Sequence, residues 1–348
     1  FVKTVYSSCV NRKDYIKVKK QLIASIHEKE IQLAKLKEHI DKSDICSDLY
    51  NKMLIEKAIL KKQLERFNRE VTGFKGVIDM WDVINEVVIM PIFDKYDNAI
   101  TRICKEKGRV GLIKEVFVRA HDSNPEAVLL LNDFNTSINY EILIDGCLNA
   151  GVPISAIGIQ SHQHQGYWGR EKLLEILERF SHFGLPIHFT ENTLISGEIM
   201  PPHIVDLNDW QVEKWPTTPE GEERQAREIE EMYRILFAHP IVQAITTWDY
   251  KDGAWLKAPS GYLREDNSRK PSYDMLENLV KHAWWTDTTV KTDENGWMEV
   301  EAFKGDYQIT AGEKMTEVSF ADDKDTVMID NLIKIFVNNS HAFFKYNP

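Results

Sequence analysis

The sequence predicts an α/β fold of the (β/α)8 TIM-barrel type, incomplete at five βα units, with an N-terminal helical hairpin and a small C-terminal β appendage. Three observations predict it. Apolar, β-branched runs at Val77–Asn85, Ala127–Phe134, Ala156–His162, Pro186–Glu191 and Ala244–Tyr250 lack polar alternation, as strands buried on both faces do. Helical stretches near 94–107, 111–121, 138–150, 170–183 and 222–238 lie between them, the repeat of a parallel sheet wrapped by helices. Each run also ends in a polar cluster: Asn85-Glu86, Asn132-Asp133, Gln160-Ser161-His162, Thr190-Glu191 and Trp248-Asp249. Functional groups at the C-terminal ends of successive strands mark the active face of a barrel. A doubly wound sheet would gather them at one switch point, and no glycine-rich phosphate loop is present.

The segments on either side differ in texture. Over 13–40, Leu22, Ile26, Leu33, Leu36 and Ile40 recur at helical spacing with Lys and Glu between them. A second, less regular helix is expected over 47–72, with capping residues between the two at Asp41–Asp44 and Ser47-Asp48. A short strand is expected at Phe1–Tyr6. Residues 1–72 therefore read as a basic helical hairpin and 73–285 as the barrel portion. Beyond Trp284-Trp285, alternating segments at Thr288–Lys291, Trp297–Phe303 and Tyr307–Thr310 read as short strands of a β appendage over 286–348. The stretch 326–348 is apolar and irregular and fits no element.

Composition narrows the function classes. The chain has 348 residues, 43% apolar and 28% charged, within the ordinary globular range. Its net charge of −11 is unevenly spread: residues 1–70 carry 16 Lys and Arg against 10 Asp and Glu, the remainder 27 against 44. An acidic body argues against nucleic acid, whose phosphates require clustered positive charge; a neutral polymer meets no such objection. No apolar run is long enough to span a membrane. Cys9, Cys46, Cys104 and Cys147 are scattered, suggesting neither a zinc site nor a disulfide scaffold. No signal peptide is visible, as would also hold for a mature secreted chain.

Paired carboxylates are the clearest chemical feature. Glu86 and Glu191 each end an apolar strand, where a solitary carboxylate at the rim of a core is costly unless it is used. The plain alternative for either is a solvated strand cap. Two such groups facing one another can hydrolyse a glycosidic bond, one protonating the leaving oxygen while the other attacks the anomeric carbon or activates water. His162 and His164 form a His-x-His pair of the kind that ligates metals, but no further His and Asp cluster matches them on the other strands, so neither metal nor cofactor is expected.

These residues resemble a known family. Trp81-Asp82-Val83-Ile84-Asn85-Glu86 is similar to the acid/base signature of family 10 glycoside hydrolases, the endo-β-1,4-xylanase type, and Ile187-His188-Phe189-Thr190-Glu191 to their nucleophile strand. Leu131–Asn135 resembles their fifth strand, Gly158–His162 their sixth, Trp248-Asp249 with Trp255 their eighth, and Lys270–Tyr273 the closing motif. The resemblance implies a retaining hydrolase with Glu86 as acid, then base, and Glu191 as nucleophile. It implies that Asn85 bonds the sugar 2-hydroxyl, that Gln160 and His162 orient Glu191 and contact sugar, and that Asn132, Trp248 and Trp255 complete the sugar-binding groups. A xylan-like polysaccharide and an extracellular or periplasmic setting follow as expectations.

The chain also departs from the pattern. The family brings three more strands before the acid/base strand, with sugar-binding residues on two of them, and none is recognisable before Trp81. The fifth-strand Tyr is Phe134, and Asn192-Thr193 follows the nucleophile where Leu-Asp is usual. An incomplete barrel exposes strand edges that a homo-oligomer or the helical segment would cover. The alternative to a hydrolase is thus a weak or inactive remnant serving as a structural or carbohydrate-binding module, with the helical head mediating association.

Overall fold

The computed structural model describes residues 73–320 apart from 94, 96, 97, 296, 304 and 312, eight helical residues between 50 and 70, and strands at 324–329 and 333–339. The expected helix over 13–40 and strand at Phe1–Tyr6 lie outside the described residues. The chain divides into two compact units. The first comprises the described residues up to His162 with Glu171–Thr193 and Ile241–Trp248; the second comprises Gln163–Arg170, Leu194–Pro240 and the chain from Asp249.

In the first unit, β1 (Met80–Asn85), β2 (Val128–Asp133), β3 (Ala156–Ile159), β5 (Ile187–Leu194, to Thr193 in this unit) and β6 (Val242–Thr247) pair in parallel in that order. A two-residue strand, β4 (His162–Gln163), also pairs with β5. Between them run α1 (Ala99–Lys107), α2 (Arg109–Ser123), α3 (Ile138–Asn149) and α4 (Gly169–Ser181). The strands are apolar because both faces are covered: Val83, Ile84, Leu129, Leu131, Ile157, Ile159, Ile187 and Phe189 are all but fully buried. Tyr140 of α3 and Phe180 of α4 meet at 5.6 Å between ring centroids, and the Tyr140 hydroxyl reaches the Leu131 carbonyl at 2.7 Å. Full burial of each such side chain contributes roughly 1.5–3 kcal/mol.

Element boundaries follow local chemistry. The helix expected from 94 starts at Ala99, because the Asn98 side chain accepts from the Ile100 and Thr101 backbone N–H groups and caps it there. The strand expected over Ala156–His162 stops at Ile159; Ser161 takes a left-handed backbone with φ of 61° and breaks the run.

The second unit holds α5 (Pro219–Ala238) and α6 (Pro271–Asn278), both opened by proline at the first turn. The sequence reading missed α6. Lys270, fully buried, is ion-paired with Asp252 at 2.5 Å and bonded to the Ser196 hydroxyl at 2.8 Å. The unit also carries β7 (Trp297–Ala302), β8 (Gly305–Ala311), β9 (Lys314–Phe320), β10 (Lys324–Ile329) and β11 (Ile333–Asn339). β8 and β9 form an antiparallel hairpin, and β10, β11 and β7 a three-stranded sheet in that order. Two expectations are corrected here. Thr288–Lys291 is irregular, since β-branched residues make a strand only where a partner pairs with them. The stretch from 326, read as irregular, contributes most of β10 and all of β11; residues 340–348 lie outside the described chain.

Candidate active site

Register brings the strand-end residues of the first unit together. Asn85 pairs with Asn132 across β1 and β2, Asn132 with Gly158 across β2 and β3, and Gly158 with His188 across β3 and β5. The Asn132 side chain lies over Gly158. A Cβ at 158 would stand 2.4 Å from Asn132 Oδ1, so glycine here is what lets the asparagine lie across the sheet.

Asn132 is 1% exposed and fully engaged. Its Nδ2 donates to Glu191 Oε1 and to Asn85 Oδ1, both at 3.0 Å, and its Oδ1 accepts from Thr190 Oγ1 at 2.7 Å. Gln160 Nε2 donates to the same Asn85 oxygen at 3.0 Å and to Glu86 Oε1 at 3.2 Å, and Asn85 Nδ2 reaches Glu86 Oε1 at 3.3 Å. The other side of Glu191 is held by His162, with Nε2 3.1 Å from Oε2. His162 Nδ1 lies 3.1 Å from Thr193 Oγ1, and the Trp248 ring meets the imidazole edge-on at 5.9 Å. One continuous run of hydrogen bonds therefore joins the two glutamates through Gln160, Asn85 and Asn132.

Backbone contacts fix where the carboxylates stand. The Glu86 N–H donates to the Asn132 carbonyl at 2.9 Å and the Glu191 N–H to the Gln160 carbonyl at 3.1 Å. Glu86 leaves β1 in a left-handed conformation, φ 57°, unfavourable for a residue with a Cβ. The turn beyond it is held by Arg109, whose Nε donates to the Val88 carbonyl at 3.0 Å, and by Asp133 Oδ2, which accepts from the Val88 N–H at 3.1 Å.

Burial dominates the electrostatics. The Glu86 carboxyl titrates above its ordinary value, chiefly because burial penalises the charged form; the Gln160 amide opposes this and the Glu191 charge adds to it. Asp82, on β1, is raised to about 6 by burial and by the charge of Glu191. Asp133 is raised to about 7 by burial, against its backbone hydrogen bonds and with a contribution from Glu86. A partly buried acid whose burial favours the protonated form, beside a second carboxylate gripped at both oxygens, can serve proton transfer and nucleophilic attack at one bond.

Of the predicted site residues, Asn85, Glu86, Asn132, Gln160, His162, Glu191 and Trp248 are brought together in the first unit. Trp255 belongs to the second unit, where its ring meets fully buried His164 edge-on at 5.0 Å. The two members of the His-x-His pair thus have different surroundings, and among the described residues no group of three His, Cys, Asp or Glu side chains could hold a metal ion. No helix of the described residues is long and apolar enough to cross a membrane. Sequence reading missed Thr190 and Thr193 as site residues. The signal was the strand period: Glu191 and Thr193, two apart on β5, lie on one face.

The comparisons with known proteins bear on family and fold. The model of glycosyl hydrolase family 10 matches residues 39–279. The chain belongs to glycosyl hydrolase family 10. It is 26% identical over 207 residues to an endo-1,4-beta-xylanase of Geobacillus stearothermophilus, a match covering 57% of this chain and 59% of that protein. It is 25% identical over 251 residues to the anti-sigma-I factor RsgI6 of Acetivibrio thermocellus, covering 70% of this chain and 28% of the other. The chain thus spans well under two thirds of the length of either relative. A mutant xylanase A of P fluorescens subsp. cellulosa, solved with xylopentaose, superposes with a TM-score of 0.51 at 23% identity, covering 64% of this chain and 72% of that one. The shared fold is the (β/α)8 barrel, represented here by five parallel strands.

Proposed function

We propose that this chain is a retaining glycoside hydrolase that cuts β-1,4-linked xylan. Glu86 protonates the leaving oxygen while Glu191 attacks the anomeric carbon, giving a covalent glycosyl-enzyme. Glu86, now ionised, then takes a proton from the water that displaces Glu191. The carrying observation is the hydrogen-bond run from Glu86 through Gln160, Asn85 and Asn132 to Glu191, which ties acid and nucleophile to one rigid set of strand ends. Burial favours the protonated Glu86 that the first step needs. Asn132 and His162 hold opposite oxygens of Glu191, fixing its line of attack. In this reading Asn85 bonds the sugar 2-hydroxyl, and the half-exposed Trp248 offers a face on which a sugar ring stacks. The xylose polymer suits an acidic chain because it is neutral.

A second reading, binding without cleavage, is favoured by one observation: a relative that matches over 70% of this chain is named as an anti-sigma factor. Reducing-end release from xylan decides between them. The hydrolase reading expects release that falls roughly a thousandfold or more in Glu191→Ala, since the nucleophile admits no substitute. Binding of xylooligosaccharides by calorimetry, with no glutamate-dependent release, would establish the second.

A further inference from the structure

Thr193 occupies a position the proposed reaction has not used. It is 1% exposed, and its backbone N–H donates to the Ser161 carbonyl at 3.2 Å, pinning it beside the residue before His162. Its Oγ1 lies 3.1 Å from His162 Nδ1 and 3.0 Å from the backbone carbonyl of Glu191, to which it can donate. The other ring nitrogen, Nε2, faces Glu191 Oε2 at 3.1 Å. The imidazole is therefore held between the nucleophile's carboxylate and a hydroxyl two residues further along the same strand.

The proton count on this triplet is restrictive. A carboxylate accepts only, so Nε2 must carry hydrogen to attract an ionised Glu191. If the ring is neutral, Nδ1 then has a bare lone pair, to which Thr193 at 3.1 Å can donate. If the ring is cationic, Nδ1–H donates to Thr193, and the hydroxyl proton turns to the Glu191 carbonyl, which stands within reach. Both arrangements use the same heavy-atom positions; in the neutral-ring one the Thr193 proton leaves the Glu191 carbonyl for Nδ1. A carboxylate in place of Thr193 could only accept from Nδ1 and would hold the ring cationic. Glu191 on β5 and Glu86 at the end of β1 are among the charges acting on the ring, and in the proposed reaction Glu191 loses its charge each time the glycosyl-enzyme forms.

We infer that Thr193 is a positioning residue that keeps His162 aimed at Glu191 through both charge states of the nucleophile, by changing from hydrogen-bond donor to acceptor. This rests on the hydrolase reading for its purpose but not for its geometry.

The test uses Thr193→Ser, which keeps the hydroxyl, and Thr193→Val, which keeps the shape and removes it. Ring 15N chemical shifts of His162, assigned with His162→Gln, report the tautomer in the free protein. Turnover of an aryl β-xylobioside reports kcat and KM. The serine variant should retain the wild-type ring signature and kcat to within about twofold, while the valine variant should show mixed tautomers and a roughly tenfold lower kcat at nearly unchanged KM. Thr193→Ala replaces the valine variant should that one not fold. Identical His162 shifts in wild type and the hydroxyl-free variant would overturn the inference. Should the wild-type protein turn over no substrate, the hydrolase reading fails, and the shift comparison still decides the role of Thr193.

Discussion

Gln160 donates one amide group to both Asn85 and Glu86, and this sets an expectation for pH dependence. The amide stabilises ionised Glu86 and so works against burial. In the proposed reaction the acid step needs protonated Glu86, so activity is expected to be lost as pH rises through its folded-state value. Removing the amide in Gln160→Ala removes a force that lowers that value. The alkaline limb of the kcat profile should therefore move to higher pH, even as overall activity falls; a limb that moves to lower pH would contradict the assignment of Glu86 as acid. At this scale the grouping of Asn85, Glu86, Asn132, Gln160, His162, Glu191 and Trp248 was legible in the sequence, because each is a polar residue closing an apolar run. Thr190 and Thr193 were harder, because threonine is common in strands: the strand period sets Thr193 on the face of Glu191, but its role shows only once His162 is placed, and that of Thr190 only once Asn132 is. Gly158 was legible as part of a motif, but its reason is visible only from the Asn132 side chain lying over it.

Among the elements, the end of β2 carries the clearest consequence for stability. Asp133 is buried, braces the turn after Glu86 through the Val88 N–H, and titrates near 7 against an unfolded value of 3.8. The folded state thus binds a proton that the unfolded state has released. Stability should be highest at the acid end of this window and fall as pH rises from about 4 to about 7, by up to on the order of 4 kcal/mol. Asp82, raised to about 6, acts in the same direction over the lower part of that window. Scanning the melting temperature against pH should show the fall, and Asp133→Asn should flatten much of it; an unchanged slope would mean that the carboxyl titrates normally. Strands β1, β2, β3, β5 and β6 could be read from sequence because continuous apolar runs have one interpretation in a covered sheet. The appendage could not be read as well. In β8 and β9 exposed positions alternate with partly buried ones, so the apolar signal is diluted, and Thr288–Lys291 has strand-like composition without a strand.

For the whole molecule, charge is the property that sequence states most directly. If xylan is the substrate as proposed, its neutrality means that electrostatic steering by a chain of net charge −11 contributes little. Activity on xylan, as kcat/KM, should change by less than about twofold between roughly 0.05 and 0.5 M salt, where interactions between exposed charges are screened. A steep salt dependence would indicate a charged ligand instead. The extent of the family region was harder to read. Residues 1–72 read as a separate basic head, whereas the family match begins at residue 39. Lysine-rich amphipathic helices look alike whether they cover a sheet or stand apart, since the pattern encodes one buried face and not what covers it.

The left-handed backbone at Glu86 has a consequence for any effort to make this protein more durable. Only glycine adopts that conformation freely, and partial burial of the carboxyl adds its own cost. Replacing Glu86 by glycine should therefore yield an inert protein that outlasts its parent on heating, melting roughly 2–4 °C higher for each kcal/mol relieved. Selection for heat resistance without selection for turnover would be expected to erase this residue early.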